Sequence, residues 1–226
     1  MIHRTPFFLP LFYPSLVWRV RTTEKVLYLT FDDGPVSGPT EFALHTLSRY
    51  SAKATFFCIG DNVRKHPGIF AKILEEGHAV GNHTFNHLNG WRTSMERYVE
   101  NTTRCQEQMK LAAETTIADD DPKPPVSPPV DVNASRLFRP PYGRISRKQI
   151  QALQDYRIIM WDVLSMDYNR LLSPESCFRS TMHACRPGSI VVFHDSYKAE
   201  RNMTYALPRL LDHFSRHGYA FKALAP

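Results

Sequence analysis

The stretch Val-Leu-Tyr-Leu-Thr-Phe-Asp-Asp-Gly-Pro, residues 26–35, decides the fold predicted for this chain. Its first six residues, 26–31, are apolar or β-branched and predict a buried β-strand. Two adjacent carboxylates, Asp32 and Asp33, follow at the end of that strand, where they repel each other. They need a cation, a proton or hydrogen-bond donors nearby. The alternative interpretation is a strand followed by a simple Asp-Gly turn, which has the same composition. The rest of the chain has to supply the cation.

Strand-like and helix-like segments alternate about seven times from this stretch onward. Further strands are predicted at residues 54–60, 78–84, 137–143, 158–164, 189–193 and 219–224. Such alternation predicts parallel strands joined by right-handed crossovers. Because the chain has no glycine-rich phosphate loop, we favour a (β/α) barrel over an open doubly wound sheet. In such a barrel, the carboxyl ends of the strands carry the functional site.

The length of 226 residues suits one large domain with a sizeable core. We expect residues 1–24 to form an N-terminal arm packed on the barrel and residues 25–226 to form a single domain. The tract 114–135 is rich in proline and aspartate and is expected to be a surface insertion. The apolar run 6–18 contains three prolines, and no small-residue cleavage site follows it. An arm is therefore favoured over a signal peptide, and a cytoplasmic location with it.

The composition, with 42% hydrophobic and 22% charged residues, indicates a folded globular chain. The formal net charge is +6, but no basic run interleaved with aromatic residues occurs, so we expect no nucleic-acid partner. The N-terminal apolar run is too short to span a bilayer, and no stable membrane insertion is expected. Cys58 lies in an apolar run and is expected in the core, whereas a disulfide among Cys105, Cys177 and Cys185 stays open.

The segment His83-Thr84-Phe85-Asn86-His87 places two imidazoles four residues apart. On a helical or turn-like segment, this spacing directs both side chains toward one point. Two imidazole nitrogens and one carboxylate oxygen suit Zn²⁺ or another divalent transition ion, and they leave coordination positions open for catalysis. A chance pair among ten histidines is the alternative on spacing alone.

Three more polar side chains follow predicted strands. Arg139 precedes two prolines that hold the backbone extended, and it is either a surface arginine or the partner of a buried carboxylate. Asp167 and His194 end the next two predicted strands. An Asp–His pair would orient the imidazole and favour its protonated form, whereas an ordinary strand-end histidine is the alternative.

Five motifs in this order resemble those of the NodB-homology polysaccharide deacetylases, carbohydrate esterase family 4. The resemblance extends from about residue 25 to residue 224, which is nearly the whole chain. Three motifs are intact: Thr-Phe-Asp-Asp-Gly-Pro at 30–35, His-Thr-x-x-His at 83–87 and Arg-Pro-Pro-Tyr-Gly at 139–143. The resemblance implies a distorted (β/α)7–8 barrel of NodB-homology type.

The other two motifs depart from the family pattern. The fourth ends in Asp167-Tyr168, where the family usually has Asp-Trp, and the fifth reads Val191-x-x-His194, where the family usually has leucine before the histidine. Tyrosine keeps an aromatic wall and adds a hydroxyl, and valine removes one methylene. Both departures concern the expected acetyl pocket, so they put acyl size and substrate preference in doubt.

The resemblance implies a role for each matched position. Asp33, His83 and His87 would bind a divalent metal ion, with Zn²⁺ expected and Co²⁺ or Ni²⁺ as alternatives. Asp32 would act as the general base, held ionised and in place by Arg139.

The same resemblance assigns the remaining positions. His194 would protonate the leaving amine, tuned by Asp167. The Tyr142 backbone N–H, with the metal, would stabilise the oxyanion. Contacts with the substrate are expected from Pro141, Tyr168 and Val191.

The function implied by the resemblance is metal-dependent removal of N-acetyl groups from N-acetylglucosamine units of a peptidoglycan or chitin-like glycan. An O-acetyl esterase acting on xylan-type sugars uses the same chemistry, and the motifs do not separate the two. A glycan-binding pseudoenzyme is the alternative from another class, disfavoured because Asp32 and His194 are both present. We expect a carbohydrate substrate as partner and a monomeric protein.

Overall fold

The computed structural model describes residues 3–117, 132 and 136–225, which form a curled sheet of parallel strands flanked by helices. This is the distorted (β/α)7–8 barrel expected from the sequence. The strands are β1 Val26–Asp32, β2 Thr55–Cys58, β3 Ala79–Asn82, β4 Leu137–Phe138, β5 Arg157–Ile158, β6 Val163–Leu164, β7 Ile190–His194 and β8 Ala220–Phe221. The α-helices are α1 Leu9–Phe12, α2 Pro39–Ser48, α3 Gly60–Lys65, α4 Pro67–Glu75, α5 Met95–Ile117, α6 Arg147–Ala152, α7 Pro174–Ala184 and α8 Glu200–Arg216.

The order of strands across the sheet is β5-β4-β3-β2-β1-β7-β6, and β8 pairs with the start of β1. The strand pairs are parallel, and Asp32 at the end of β1 lies opposite both Phe57 and His194. Because parallel strands end at the same rim, the segments that follow β1, β3, β4, β6 and β7 meet there. The motif residues are brought together in this way.

The central strands are buried on both faces. Leu27, Leu29 and Phe31 of β1 pack into the core between the sheet and the helices, and each such side chain contributes about 1.5–3 kcal/mol on burial. Alternate residues of the strands point to the opposite face, where Phe57 and Ile190 fill the barrel interior. This alternation sends Asp32 toward the interior side of the rim.

The single strand predicted at 158–164 is wrong, because this segment forms two short strands at opposite edges of the sheet. β5 pairs with β4, and β6 pairs with β7. Between them, the carbonyls of Ile159 and Met160 accept hydrogen bonds from the Arg139 side chain, and the Met160 N–H donates to Val17. Side-chain and arm partners therefore replace a strand ladder at this point.

Residues 3–5 and 17–20 of the N-terminal arm make backbone contacts on both sides of the gap between β5 and β6. The Val17 N–H donates to Ile158 on one side of the gap, and the Leu164 N–H donates to His3 on the other. A further bond joins Val20 to Gly188. This segment therefore satisfies backbone groups at both edges of the curled sheet.

Several other expectations concern the segments around the barrel. Helix α5 continues to Ile117, and most of the proposed insertion, residues 118–131 and 133–135, lies outside the described residues.

The thiols are free: Cys58, Cys105 and Cys177 are buried and Cys185 is half-buried. Among the helices that the structure describes, none is long and apolar enough to cross a membrane.

Candidate active site

The first pair at the rim joins Asp32 to Arg139. Arg139 Nη1 donates to Asp32 Oδ1 at 2.7 Å, and both side chains are almost completely buried. The guanidinium also donates to Thr30 Oγ1 at 2.7 Å and stacks 4.1 Å from the centre of the Phe57 ring. Burial lowers the pKa of Arg139, and the charge of Asp32 opposes that shift. The pair therefore fixes a carboxylate in a defined position beside the rim.

A second group of side chains converges from the two neighbouring motifs. His87 Nε2 lies 3.2 Å and His83 Nε2 lies 3.7 Å from Asp33 Oδ1. One ligand atom from each of the three residues lies within 4.8 Å of the others. Asp33 Oδ1 is buried and has no hydrogen-bond partner. An oxygen and two imidazole nitrogens meeting around such an atom fit a divalent transition ion.

The protonation of His83 suits this arrangement. Its Nδ1 lies 2.7 Å from the Arg139 carbonyl oxygen, which can only accept a hydrogen bond, so Nδ1 carries the proton and Nε2 is free. Burial lowers the pKa of His83 to about 4 and keeps the ring neutral near pH 7. Burial alone would raise the pKa of Asp33, but the neighbouring imidazoles lower it below its ordinary value.

The third pair joins His194 to Asp167. Asp167 Oδ1 accepts from His194 Nδ1 at 2.7 Å, and Oδ2 accepts from the His194 backbone N–H at 2.7 Å. Burial opposes the charged ring, but the charge and hydrogen bond of Asp167 outweigh it and raise the pKa of His194 to about 9. The imidazole is therefore protonated at neutral pH, with Nε2 left to donate.

The backbone is strained at three residues of the candidate site. Asp33, His87 and Tyr142 have φ values of 82°, 55° and 61°, in the left-handed region that non-glycine residues avoid. Each such residue costs about 1–3 kcal/mol and persists only where the surroundings hold it. For Asp33, part of that support is a 2.7 Å hydrogen bond from Asn62 Nδ2 to its carbonyl oxygen.

Asp195, which none of the sequence motifs singled out, supports the loop after β1. Asp195 Oδ1 accepts from the Gly34 N–H at 3.0 Å, and Oδ2 accepts from the Thr40 hydroxyl at 2.6 Å. Thr40 in turn accepts from the Val36 N–H at 2.8 Å. Burial, with the nearby Asp33 charge, raises the pKa of Asp195 to about 8. Its place directly after His194 at a strand end was the available sequence signal.

Replacement of Gly34 by alanine is expected to lower the free energy of unfolding by about 1–3 kcal/mol, because the new Cβ would overlap the Asp195 carboxylate. Gly68→Ala is the matched control, since an added Cβ there meets nothing within 4 Å. Thermal unfolding of both variants provides the measurement. If Gly34→Ala were as stable as Gly68→Ala, the carboxylate would not be a rigid part of this loop.

Comparisons with known proteins connect this geometry to a family. The sequence profile of the family described as polysaccharide deacetylase matches residues 19–118. A peptidoglycan-N-acetylglucosamine deacetylase of Bacillus cereus is 30% identical over 210 residues, which cover 91% of this chain and 89% of that protein. This chain belongs to the polysaccharide deacetylase family. The family and the class of enzyme expected from the five motifs are thereby confirmed.

Two further polysaccharide deacetylases show how far the similarity extends. A chitooligosaccharide deacetylase of Azorhizobium caulinodans is 29% identical over 184 residues, 78% of this chain and 77% of that protein. A crystal structure of a peptidoglycan N-acetylglucosamine deacetylase, in complex with a naphthalenyl N-hydroxybenzamide, has a TM-score of 0.81 and 26% identity. That comparison covers 97% of this chain and 95% of the other, so the fold is shared throughout.

Two residues with expected roles toward the substrate lie at the rim of this deacetylase. Tyr168, expected to contact the substrate, has its ring centre 5.0 Å from that of His194. Tyr142, expected to donate its backbone N–H to the oxyanion, is exposed, with its ring centre 4.5 Å from that of His87. Pro141 is buried at the start of the turn that carries Tyr142, and its contact with substrate stays a prediction.

The prediction that Val191 contacts substrate is wrong. Its side chain is fully buried in the core between the sheet and the helices, with Leu29 and Phe193. Val191 and His194 are three positions apart on β7, so they point to opposite faces. Because side chains alternate along the strand, Val192 points to the same face as His194, which Val191 does not.

Proposed function

We propose that this polysaccharide deacetylase is a metal-dependent hydrolase that removes N-acetyl groups from N-acetylglucosamine units of a peptidoglycan or chitin-like glycan. One observation carries the proposal: a cluster suited to a divalent ion lies at the same rim as a buried carboxylate–guanidinium pair and a carboxylate–imidazole pair. Amide hydrolysis needs an electrophilic centre, a base and an acid, and these three groups match those needs.

The residues fit a resident ion in this proposal. Asp33, His83 and His87 would hold it, with the buried Asp33 Oδ1, which accepts no hydrogen bond, as the oxygen ligand. Oxygen and imidazole ligands favour Zn²⁺, Co²⁺ or Ni²⁺. When bound, the ion would supply Lewis acidity toward the acetamido carbonyl group.

Asp32 is proposed as the general base. Its Oδ1 is held by Arg139, so the carboxylate cannot rotate freely and the remaining oxygen is available to accept a proton from the attacking water. The buried guanidinium also compensates the negative charge, which would otherwise be costly so far from solvent.

His194 is proposed as the general acid. Amide cleavage expels an amine that leaves only with an added proton, and His194 carries that proton at neutral pH because Asp167 holds Nδ1. The Tyr142 backbone N–H is proposed as a donor to the oxyanion, in line with the left-handed backbone that exposes this turn.

The choice of an N-acetylated glycan rests on the relatives and on the acid. The similar Bacillus cereus and Azorhizobium proteins are named for peptidoglycan-N-acetylglucosamine and chitooligosaccharide deacetylation. A firmly protonated His194 favours an amine leaving group, which depends on protonation more than an alkoxide does.

Acetate release tests this function. The metal-reconstituted protein should release acetate from N-acetylglucosamine oligosaccharides or peptidoglycan faster than from acetylxylan. Faster release from acetylxylan would favour the O-acetyl esterase, and no release from any of the three would favour a glycan-binding protein without activity.

Removal of one ligand tests the metal assignment separately. His87→Ala should lose bound metal and at least about 99% of turnover, because only two ligands would remain. His45→Ala, at an exposed position on α2, is the matched control and should keep both. Elemental analysis after dialysis provides the readout, and equal metal content in the two variants would remove His87 from the ligand set.

A further inference from the structure

A cavity of about 390 Å³ lies beside the candidate active site, between the N-terminal arm and the barrel. On one side it is lined by arm residues from His3 to Trp18, and on the other by residues around Tyr142, Trp161 and Leu164. Its size falls within the range of small-ligand sites. Among the described residues that line it, only Tyr142 has a role in the mechanism proposed above.

The tryptophans of the chain are concentrated in this cavity. The sequence has three, and Trp18, Trp91 and Trp161 all line it, together with Tyr13 and Tyr142. Trp91 is 66% exposed although it is a large apolar side chain. Tyr142 is exposed as well, whereas Tyr13, Trp18 and Trp161 are half-buried. Five aromatic side chains gathered around one cavity, two of them exposed, indicate a binding surface, because isolated apolar side chains on a surface would be scattered.

Two contacts connect the cavity with the candidate active site. Tyr142 lines the cavity, and its ring centre lies 4.5 Å from that of His87. The next residue, Gly143, lies against Trp161: a Cβ at this position would be 2.5 Å from the indole Cη2. The turn Pro141–Gly143 therefore has the proposed oxyanion donor on one side and the cavity wall on the other.

The aromatic walls are held in place before any ligand arrives. Trp91 Nε1 donates to the Ile145 carbonyl oxygen at 3.2 Å, and the Arg144 guanidinium lies 5.3 Å from the Trp91 ring. Trp18 Nε1 donates to the Tyr13 carbonyl oxygen at 3.3 Å. Fixed rings lose little conformational entropy on binding, which raises the affinity that their contacts can provide.

From this arrangement we infer that the cavity is a sugar-binding subsite for glycan units next to the one that is deacetylated. A pyranose ring presents C–H groups on its faces and hydroxyls at its edge, which matches flat aromatic walls with a wet opening. None of the described residues that line the cavity is acidic, so neutral and anionic sugars both fit. The inference rests on the proposed function for the identity of the glycan, and it makes residues 3–18 part of the substrate site.

The length of the substrate provides the test. We compare kcat/KM on the disaccharide and the hexasaccharide of N-acetylglucosamine, using the metal-loaded chain of 226 residues. Trp91→Ala on the barrel side and Tyr13→Ala on the arm side should each lower the hexasaccharide-to-disaccharide ratio about tenfold, the effect of one aromatic contact. Leu11→Ala is the matched control, because Leu11 lies on the same arm, is 74% exposed and does not line the cavity. An unchanged ratio in both aromatic variants would overturn the inference.

Tryptophan fluorescence separates this inference from the proposed function. Because every tryptophan lines the cavity, the hexasaccharide should shift the emission of the wild-type protein and bind about tenfold more weakly to Trp91→Ala. A shift without acetate release would keep the subsite and reject the deacetylase. Acetate release at equal rates from both lengths, with no change in emission, would reject the subsite and keep the deacetylase.

Discussion

Replacement of Asp32 by asparagine is expected to lower kcat on an N-acetylglucosamine oligosaccharide by about 10²–10⁴-fold, the usual contribution of one general base. The amide has nearly the same shape as the carboxylate but cannot accept the proton from water at neutral pH. Asp33, His83 and His87 are untouched, so the variant should bind as much metal as the wild type. Steady-state kinetics and elemental analysis of the same preparations measure both quantities.

Stability has to be measured together with turnover, because Arg139 is completely buried and would lose the charge of its partner. Breaking a buried ion pair costs on the order of 3 kcal/mol, although the asparagine oxygen can still accept one hydrogen bond. Assays should therefore be run well below the melting temperature of the variant. Asp155→Asn, at an exposed position, is the control for the substitution itself. Turnover within about threefold of wild type, with the protein folded, would mean that another group accepts the proton.

The strands that hold these residues were predictable where a short apolar run is bounded by polar residues. β1 extends from Val26 to Asp32, and the predicted strand ended only one residue earlier, since the apolar run ends at the aspartates and marks the boundary. The run at 158–164 gave no such boundary, and its division depended on Arg139 and Val17, which are distant in sequence. Partners of that kind leave no mark on local periodicity.

The same distinction applies to the candidate site. The resemblance implied that Arg139 holds Asp32, and the structure brings the two together because Asp32 ends β1, Arg139 follows β4 and the strand ends share one rim. The hydrogen bond between Thr40 and Asp195 joins residues 155 positions apart, and no pattern in either segment announces it. Val191 was misplaced for another reason: its position in a motif was considered without the two-residue alternation of the strand.

His194→Ala should affect two kinds of substrate differently. Hydrolysis of the N-acetylglucosamine amide should fall by about 10²–10⁴-fold, because its amine leaves only after protonation. An activated aryl acetate releases a phenolate that hardly needs a proton, so its hydrolysis should fall less than about tenfold. His183→Ala, an exposed histidine on α7, is the control for removal of an imidazole. Equal losses on both substrates would assign His194 to a structural or oxyanion-stabilising role.

The partner of His194 determines the pH range of this activity. Protonated His194 is the active form, so kcat/KM on the amide should fall as the pH rises through the His194 pKa of about 9. Asp167→Asn removes the charge that raises this pKa, while the burial that lowers it remains. The basic limb of the profile should therefore move to lower pH, and the loss of activity in the variant should grow with increasing pH.

A purely structural role of Asp167 would produce a different result. Its carboxylate accepts from His194 Nδ1, from the His194 backbone N–H and from the Tyr168 backbone N–H. Asparagine offers only one acceptor oxygen, so at least one donor loses its partner and the variant should be less stable by about 1–3 kcal/mol. Instability alone lowers kcat/KM at every pH by a similar factor and leaves the position of the limb unchanged. A basic limb that stays near pH 9 in folded Asp167→Asn would therefore separate Asp167 from the tuning of the acid.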